Sequence, residues 1–419
     1  MAYQKSLDWI HAQDKFSIKP GLERMFWVLE KLGNPQEKIK GIHVVGTNGK
    51  GSTVNNLQHI FSASGYEVGT FTSPFIMDFK ERIAINGQMI SEKDLVFCVN
   101  QIQPLAERLP KETDFGQATE FEIITLIMFL YFGQIHPVDI AIIEAGLGGT
   151  YDSTNVFQAL AVICPSIGLD HQNILGDSYA EIASQKAGVI KGKEPVVVAI
   201  DKSQALAVFQ NQADKCGANL LAFKKDFSLE ADGQSYSFKS SIAKIKGIQP
   251  AMPGHHQLSN AALAIMTSLL LSDSYPKVTE KTIKIGISES YWLGRTELLA
   301  DNLMIDGAHN NESVRALVSL LKEKYGHKRI HILFAAIDTK PIEEMLCLLE
   351  NFDDLTVTSF DYHNAYPLDN YPSQYAKVED VKDWLSARSL AKKDDFYVIT
   401  GSLYFISQVR QDWFKQKLR

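Results

Sequence analysis

The stretch Ile42-His43-Val44-Val45-Gly46-Thr47-Asn48-Gly49-Lys50-Gly51-Ser52-Thr53 decides how this chain folds. Its first part is largely apolar and β-branched, which predicts a short strand, and residues 52–63 behind it predict a helix. Glycine allows backbone N–H groups to approach phosphate oxygens closely, and the first turn of a helix adds the positive end of its dipole. This order of strand, glycines and helix predicts that residues 46–53 form a phosphate-binding loop.

The side chains of this loop suit a nucleotide. Lys50 supplies a point charge for the β- and γ-phosphates, and either Ser52 or Thr53 offers a hydroxyl to Mg²⁺. The spacing departs from G-x-x-x-x-G-K-[ST], because only two residues separate Gly46 from Gly49 and Gly51 follows the lysine. The alternative, a plain glycine turn with a surface lysine, is disfavoured by the strand before it and the helix after it.

Length and composition limit the class of protein. A chain of 419 residues with 45% hydrophobic and 22% charged residues predicts two soluble globular domains. The net charge of −7 argues against nucleic acid as a partner. The four cysteines are scattered without metal-type spacing, which favours a reducing compartment. Residues 1–20 lack an apolar signal core and residues 123–132 are too short to span a bilayer, so we expect a cytoplasmic protein without a membrane partner.

Strand-like runs alternate with helical segments along the chain, which predicts an α/β fold with a mostly parallel sheet covered on both faces. Asn86-Gly87 predicts a hairpin, and Pro110 is expected to end the helix that begins near residue 92. The alternation restarts near residue 303 and predicts a second, smaller α/β unit. We expect domains at 1–294 and 295–419, joined by a hinge between Gly286 and Gly294.

Two further groups follow predicted strands, at the sheet edge where ligands of such folds lie. Glu144 ends an apolar strand and precedes three glycines, so it is a candidate Mg²⁺ partner, with a solvent-facing glutamate as the alternative. His171 follows the next strand and could reach the same cavity, although a lone histidine is more often structural. Ser73, before Pro74, is a candidate to bring a hydroxyl to the same metal. The alternative is an ordinary turn, because Ser-Pro favours turns.

Lys186 lies among apolar residues at the end of a predicted helix. Burial would lower its pKa and allow the neutral amine to take up CO₂, whereas a solvated lysine is the default interpretation. In the second half, Asp306-Gly307-Ala308-His309-Asn310 follows a strand and opens a helix. Arg295, in the expected hinge, is placed to touch nucleotide phosphate from outside the first domain.

In combination these motifs resemble the folylpolyglutamate synthase/dihydrofolate synthase family, within the Mur-ligase-like ATP-dependent amide ligases. The resemblance covers most of the chain and rests on Gly46–Ser52, Thr72–Pro74, Glu81–Ile83, Glu144–Gly149 with Asp152, Asp170–His171, Gln185–Gly188, Asn260–Ala261, Gly294–Arg295 and Asp306–Asn310.

The resemblance implies a P-loop ATPase domain and a smaller Rossmann-like C-terminal domain. It implies the following site residues: ATP contacts at Gly46, Thr47, Asn48, Gly49, Lys50, Gly51, Ser52, Thr53, Asn260, Arg295, Asp306 and His309; metal positions at Ser52, Ser73, Glu144 and His171; substrate positions at Arg82, Phe121 and Asp152. Lys50, Lys186 and His309 are the implied catalytic residues, with Lys186 carbamylated. Phe75 and Thr150 stand where many relatives carry histidine and arginine, close to the expected pterin pocket.

The implied reaction joins L-glutamate to the γ-carboxylate of a reduced folate through an acyl phosphate. The implied cofactors are ATP and Mg²⁺, with a second Mg²⁺ and a monovalent cation as further candidates, and the expected state is a monomer. Within the ligase class, a bifunctional enzyme would also add glutamate to dihydropteroate. Two further classes compete with this reading of the motifs. One is a nucleotide switch, and the second is a Mur cell-wall ligase, which usually has an additional N-terminal domain, whereas only 41 residues precede Ile42 here.

Overall fold

The computed structural model describes residues 2–13, 21–388 and 394–417 of the chain. The chain divides into two compact units. The large unit contains Met1–Ala251 and Ser259–Ser290, and the small unit contains Met252–Leu258 and Tyr291–Arg419. The domain boundary expected at residue 294 stays a prediction.

The large unit is built on an eight-stranded sheet with the strand order β4-β3-β2-β5-β1-β6-β7-β8. All neighbours from β2 to β8 are parallel, whereas β3 and β4 are added antiparallel at one edge. The strands are β1 (Gly41–Val44), β2 (Val68–Phe71), β3 (Ile83–Ile85), β4 (Gln88–Met89), β5 (Ile140–Glu144), β6 (Ala159–Cys164), β7 (Val196–Val198) and β8 (Leu220–Ala222).

A separate antiparallel sheet of three strands follows, in the order β11-β10-β9. Its strands are β9 (Phe227–Asp232), β10 (Ser235–Ser240) and β11 (Lys244–Ile248). The α-helices of this part of the chain are α1 (Ala2–His11), α2 (Glu23–Lys31), α3 (Lys50–Ala63), α4 (Glu92–Glu112), α5 (Glu120–Leu130), α6 (Gln172–Leu175), α7 (Tyr179–Ala187), α8 (Ser203–Cys216), α9 (His255–Leu270) and α10 (Glu280–Glu289). A wider π-helical turn, Tyr131–Ile135, continues α5.

The central strands explain why the sheet is covered on both faces. Every residue of β1 and β5 is buried, as expected for parallel strands with helices above and below. The register pairs Val44 of β1 with Glu144 of β5, so the carboxylate lies at the same sheet edge as the glycine-rich loop after Val44. The prediction of an α/β fold with a mostly parallel sheet is confirmed.

The expected end of α4 at Pro110 is wrong, because the helix continues to Glu112. A proline has no N–H to donate to the carbonyl four residues before it and crowds that carbonyl, so it weakens the helix ladder at this position. The turn closes beyond it, since the Thr113 N–H donates to the Leu109 carbonyl at 3.0 Å. The predicted hairpin around Asn86-Gly87 is present as β3 and β4.

A buried ion pair ties α2 to α5. The Arg24 Nε donates to Glu122 Oε1 at 2.9 Å, and both side chains are almost fully buried. Glu122 also accepts the Thr119 N–H at 2.8 Å and thereby completes a capping box at the start of α5. This pair therefore fixes the first turn of the helix that carries Phe121.

The small unit has a six-stranded sheet in the order β12-β13-β17-β14-β15-β16, parallel except for β12. This confirms the predicted second α/β unit. Its elements are β12 (Glu297–Ala300), β13 (Leu303–Asp306), α11 (Asn311–Tyr325), β14 (Arg329–Phe334), α12 (Ile342–Leu349), β15 (Asp354–Val357), β16 (Ala376–Lys377), α13 (Val381–Ser386), β17 (Asp395–Thr400) and α14 (Leu403–Lys417).

Gly286, expected at the hinge, lies inside α10, where a Cβ atom would come within 2.6 Å of the Ile60 backbone. Its role is therefore the close packing of α10 on α3. Across the described ranges, every helix is too short or too polar to serve as a membrane span.

Candidate active site

The glycine-rich loop joins β1 to α3 at the carboxyl end of the central strand. Gly46 and Gly49 have φ values of +146° and +87°, which side chains rarely tolerate. Helix α3 begins at Lys50, so its first N–H groups, which have no intrahelical partner, belong to this loop. A Cβ atom at Gly49 would lie 2.6 Å from the Asn260 amide oxygen, so the structure places Asn260 directly against the loop.

The segment Pro165–Gly168 after β6 holds the loop in place, and we call these contacts the loop latch. The Ser166 hydroxyl accepts the Asn48 N–H at 2.9 Å and donates to the Asn48 carbonyl at 2.9 Å. The Thr47 hydroxyl accepts the Gly168 N–H at 2.9 Å. Our sequence analysis missed Ser166, although its position directly after a buried strand was a usable signal.

Two lysines converge on one carbonyl of the loop. The Nζ atoms of Lys50 and Lys186 donate to the Gly46 oxygen at 3.1 and 2.9 Å. Lys50 also donates to the Thr47 carbonyl at 3.3 Å and lies 3.8 Å from Glu144 Oε1. The structure therefore brings three of the predicted site residues together at the loop.

Lys186 is only 4% exposed, at the end of α7, so the default interpretation as a solvated lysine is wrong. Burial lowers the pKa of its ammonium from 10.5 to about 8, and the nearby charge of Lys50 contributes in the same direction. The sequence could not show this burial, because the sheet edge that covers Lys186 is formed by distant segments.

Glu144 is also only 4% exposed, which excludes the alternative of a solvent-facing glutamate. Its Oε2 accepts the Ser73 N–H at 3.4 Å, so Ser73 is placed beside it. Ser52 is buried in the first turn of α3. The structure therefore places Glu144 and Ser52 at the loop and the Ser73 backbone beside the Glu144 carboxylate.

His171 is placed differently. It lies in a left-handed turn before α6, its side chain is half exposed, and its Nε2 is 3.9 Å from Asp170. Within the described residues, no three His, Cys, Asp or Glu side chains are grouped so as to hold a metal ion on their own. A cation at this site would therefore need oxygens from hydroxyl groups or from a bound phosphate.

The glycines after Glu144 form a tight loop between an aromatic ring and α7. A Cβ atom at Gly146 would lie 2.4 Å from the Phe121 ring, and one at Gly149 would lie 2.7 Å from the Lys186 carbonyl. Asp152 closes this loop, because its Oδ2 accepts the Leu147 N–H at 2.7 Å. Burial raises the pKa of the Asp152 carboxyl, which its hydrogen bonds oppose.

The two residues that depart from the family pattern have local partners. The Thr150 hydroxyl donates to the Gln185 carbonyl at 3.0 Å, so it ties the glycine loop to α7. Phe75 lies beside the predicted substrate residue Arg82, whose guanidinium carbon is 5.3 Å from the Phe75 ring centre and 5.5 Å from that of Phe79.

The remaining predicted residues form a cluster of their own in the small unit. Asp306, at the end of β13, accepts N–H groups from Thr296 at 2.8 Å and Ala308 at 2.9 Å. The Arg295 guanidinium donates to the Gly307 carbonyl at 3.3 Å. The His309 Nδ1 lies 2.8 Å from the same carbonyl and must be its donor, which places the lone pair of a neutral ring on Nε2.

His256 belongs to this cluster and was missed in our sequence analysis. Burial lowers the pKa of its imidazole, the Asp306 carboxylate opposes this, and the Arg295 charge adds to it. The pair His255-His256, four residues before Asn260, was the only signal in the sequence.

Comparisons with known proteins show to which family the chain belongs. The chain matches the Mur ligase middle domain over residues 44–268 and the Mur ligase, glutamate ligase domain, over residues 294–403. It is 40% identical to the dihydrofolate synthase/folylpolyglutamate synthase of Bacillus subtilis, over 98% of this chain and 99% of that protein. It is 34% identical to the folylpolyglutamate synthase (FPGS) of Lacticaseibacillus casei, over 98% of each chain.

A solved FPGS–AMPPCP–folate complex has the same fold. It matches with a TM-score of 0.85 and 33% sequence identity, over 98% of this chain and 99% of that one. The fold, the motifs and the 33–40% identity over almost the full length agree, and they confirm the predicted family. The chain therefore belongs to the folylpolyglutamate synthase/dihydrofolate synthase family of Mur ligases.

Proposed function

We propose that this protein uses ATP to join L-glutamate to the γ-carboxylate of a reduced folate. A carboxylate is a poor electrophile, so ATP first phosphorylates it, and the glutamate amine then attacks the acyl phosphate and expels phosphate. The convergence of Lys50, Lys186 and Glu144 at the glycine-rich loop carries this proposal. Lys50 supplies positive charge where the transferred phosphoryl group carries negative charge, and Glu144 offers a carboxylate to a metal ion beside it.

The loop Gly46–Thr53 is proposed to bind the phosphates of ATP. The free N–H groups at the start of α3 face the phosphates, and Lys50 adds a full charge to the helix dipole. The loop latch keeps these donors in one conformation, and Asn260 lies against Gly49 as a further contact for the nucleotide.

The residues at the loop fit Mg²⁺, which prefers oxygen ligands and is commonly held by one or two carboxylates together with substrate phosphates. Glu144 supplies the carboxylate, Ser52 and Ser73 supply hydroxyl groups, and His171 would add a nitrogen. The ion, when bound, would neutralise charge on the transferring phosphoryl group. A second Mg²⁺ and a monovalent cation stay predictions.

Lys186 is proposed to be carbamylated. With a pKa lowered to about 8, about a tenth of the buried amine is neutral at pH 7, and this neutral form can make an N–C bond to CO₂, releasing a proton. The anionic product would pair with Lys50, whose ammonium shares the Gly46 carbonyl with Lys186.

The cluster of the small unit is proposed to contact ATP through Arg295 and Asp306, with His309 as a catalytic residue. The hydrogen bonds from Thr296 and Ala308 fix the Asp306 carboxylate, so it is ready to accept further donors without rearrangement. The pterin end of the folate is assigned to Phe121, Asp152 and Arg82 of the large unit.

A coupled assay tests this function. Purified protein is incubated with ATP, L-glutamate and tetrahydrofolate, and both phosphate release and the mass of the folate product are measured. We expect phosphate release to require the folate and the amino acid together, and the product to gain glutamyl units. ATP turnover that ignores both substrates would contradict the ligase and favour a nucleotide switch.

A bifunctional enzyme is the second candidate, because the Bacillus subtilis relative carries both activities in its name. The same assay with dihydropteroate in place of tetrahydrofolate decides between them. Turnover of dihydropteroate would show the bifunctional enzyme, and turnover of tetrahydrofolate alone would show the single activity. The protein is proposed to act as a monomer, which light scattering on the assay sample checks.

A further inference from the structure

A buried hydrogen-bond network of His43, Thr154 and Asp152 connects β1 to the turn that follows the second loop, at Gly146–Gly149. His43, in β1, is 1% exposed, and its Nε2 is 2.8 Å from the Thr154 hydroxyl oxygen. The Thr154 hydroxyl donates in turn to Asp152 Oδ1. No step of the proposed reaction uses His43 or Thr154, although His43 stands three residues before the phosphate loop.

The direction of the protons along this chain follows from the chemistry of its members. A hydroxyl group has one proton, and Thr154 gives it to the carboxylate. The imidazole must therefore donate to the Thr154 oxygen, so the neutral form of His43 carries its proton on Nε2. Burial lowers the pKa of His43 to about 3, with a smaller contribution from Lys191, which keeps the ring neutral under assay conditions.

Asp152, the last member of this hydrogen-bond network, holds the loop at Gly146–Gly149 in place. Its Oδ2 accepts the Leu147 N–H at 2.7 Å, and its Oδ1 accepts the Thr154 N–H at 3.0 Å. These bonds span the loop that packs on Phe121 at Gly146 and on Lys186 at Gly149. A rotation of the Asp152 carboxylate would therefore move the backbone that lies between the aromatic ring and the lysine.

We propose that His43 and Thr154 are positioning residues for folate binding, which hold the Asp152 carboxylate and, through it, the loop at Gly146–Gly149. This inference rests on the proposed function, because it takes Phe121 and Asp152 as the pterin side of the site. The histidine acts only through Thr154, and neither residue touches the reacting atoms.

Substitutions of Thr154 test the proposal. Thr154→Val keeps the shape and removes the hydroxyl, whereas Thr154→Ser keeps the hydroxyl. We expect the valine variant to raise the KM for reduced folate about tenfold, the effect of one hydrogen bond to a charged group. The KM for ATP should stay within about twofold of the wild type, since the loop latch does not involve the network of His43, Thr154 and Asp152. The serine variant should resemble the wild type.

Three kinetic results would overturn the proposal. They are an unchanged folate KM in a folded Thr154→Val protein, equal rises in the KM values of folate and ATP, and a serine variant that behaves like valine. A purely structural role would lower the melting temperature without separating the two KM values.

Nitrogen NMR of histidine-labelled protein gives a readout that needs no activity. The His43 resonances, identified by their absence in His43→Gln, should show a proton on Nε2 between pH 6 and 8 and should shift in Thr154→Val. A proton on Nδ1, or titration of the ring in this pH range, would refute the hydrogen bond from His43 to Thr154. If neither folate nor pteroate is turned over, the proposed function is wrong. The NMR result would still show whether His43 donates to Thr154.

Discussion

Lys186, buried beside the glycine-rich loop, makes the free energy of unfolding depend on pH. Lys186→Met removes the ammonium and keeps a side chain of similar length. Burial lowers the pKa of Lys186 from 10.5 to about 8. At about 1.36 kcal/mol for each pKa unit, the charged form costs the folded protein about 3 kcal/mol.

The sign follows from where the proton is bound. At pH 7 Lys186 is charged in both the folded and the unfolded chain, so the whole cost is present. Between pH 8 and 10.5 the unfolded chain keeps the proton and the folded chain loses it, so the free energy of unfolding contributed by this residue rises with pH. From pH 7 to pH 9.5 the gain is about 2 kcal/mol.

The assay compares the wild type with Lys186→Met in urea at pH 7 and pH 9.5, in buffer free of CO₂. Hydrogen exchange of peptides from β1 and α7 reports the large unit alone. The wild type should gain about 2 kcal/mol relative to the variant as the pH rises. A difference that does not change with pH would refute the argument.

The exposed Lys93, on α4 of the same unit, provides the control. Lys93→Met should keep a constant offset from the wild type at both pH values. Added bicarbonate extends the experiment to the proposed carbamylation. It should stabilise the wild type near pH 8 and leave Lys186→Met unchanged, and equal responses of both proteins would contradict the modification.

Three further substitutions, two of them with a matched control variant, separate effects on binding from effects on stability. Lys50→Ala should lower ATP-dependent phosphate release at least about a hundredfold with an unchanged melting temperature, and activity close to wild type would exclude its role. Gly49→Ala places a Cβ 2.6 Å from a buried amide oxygen and should abolish nucleotide binding by calorimetry, whereas Gly65→Ala, also at positive φ but with nothing within 4 Å, should bind normally. Glu122→Gln removes the buried carboxylate that pairs with Arg24 and should lower the free energy of unfolding by about 3–5 kcal/mol, measured in urea. Glu112→Gln, in the exposed pair with Arg108, should leave the free energy of unfolding almost unchanged. Equal losses in the Glu122 and Glu112 variants would show that burial does not determine the size of the effect.

Local signals predicted the elements that position the glycine-rich loop. Helix α3, strand β5 and the hairpin at Asn86-Gly87 each follow from a pattern within about a dozen residues. The same holds for α11, because the sequence predicts that Asp306-Gly307-Ala308-His309-Asn310 opens a helix, and the helix begins at Asn311. Such patterns succeed because the residues that define the element also form it.

Features that depend on distant segments could not be predicted in this way. The edge strand β12 pairs antiparallel with β13, and its short run Glu297–Ala300 has no strong strand pattern of its own. The burial of Lys186 and the contact of Ser166 with Asn48 arise only when separate segments meet at the sheet edge. The chain from His43 to Asp152 spans more than one hundred residues of sequence, and no spacing rule connects its members.

The loop latch has a consequence for the speed of nucleotide exchange. Fixing the backbone of one residue costs about 1–2 kcal/mol of conformational entropy, and the contacts of Thr47 and Asn48 with Ser166 and Gly168 meet that cost when the protein folds. In the proposed ATP site, the backbone of the loop would therefore be ordered before the triphosphate binds. Association should be governed by diffusion and charge, with a rate constant that depends on ionic strength and shows no saturation from a slow isomerisation.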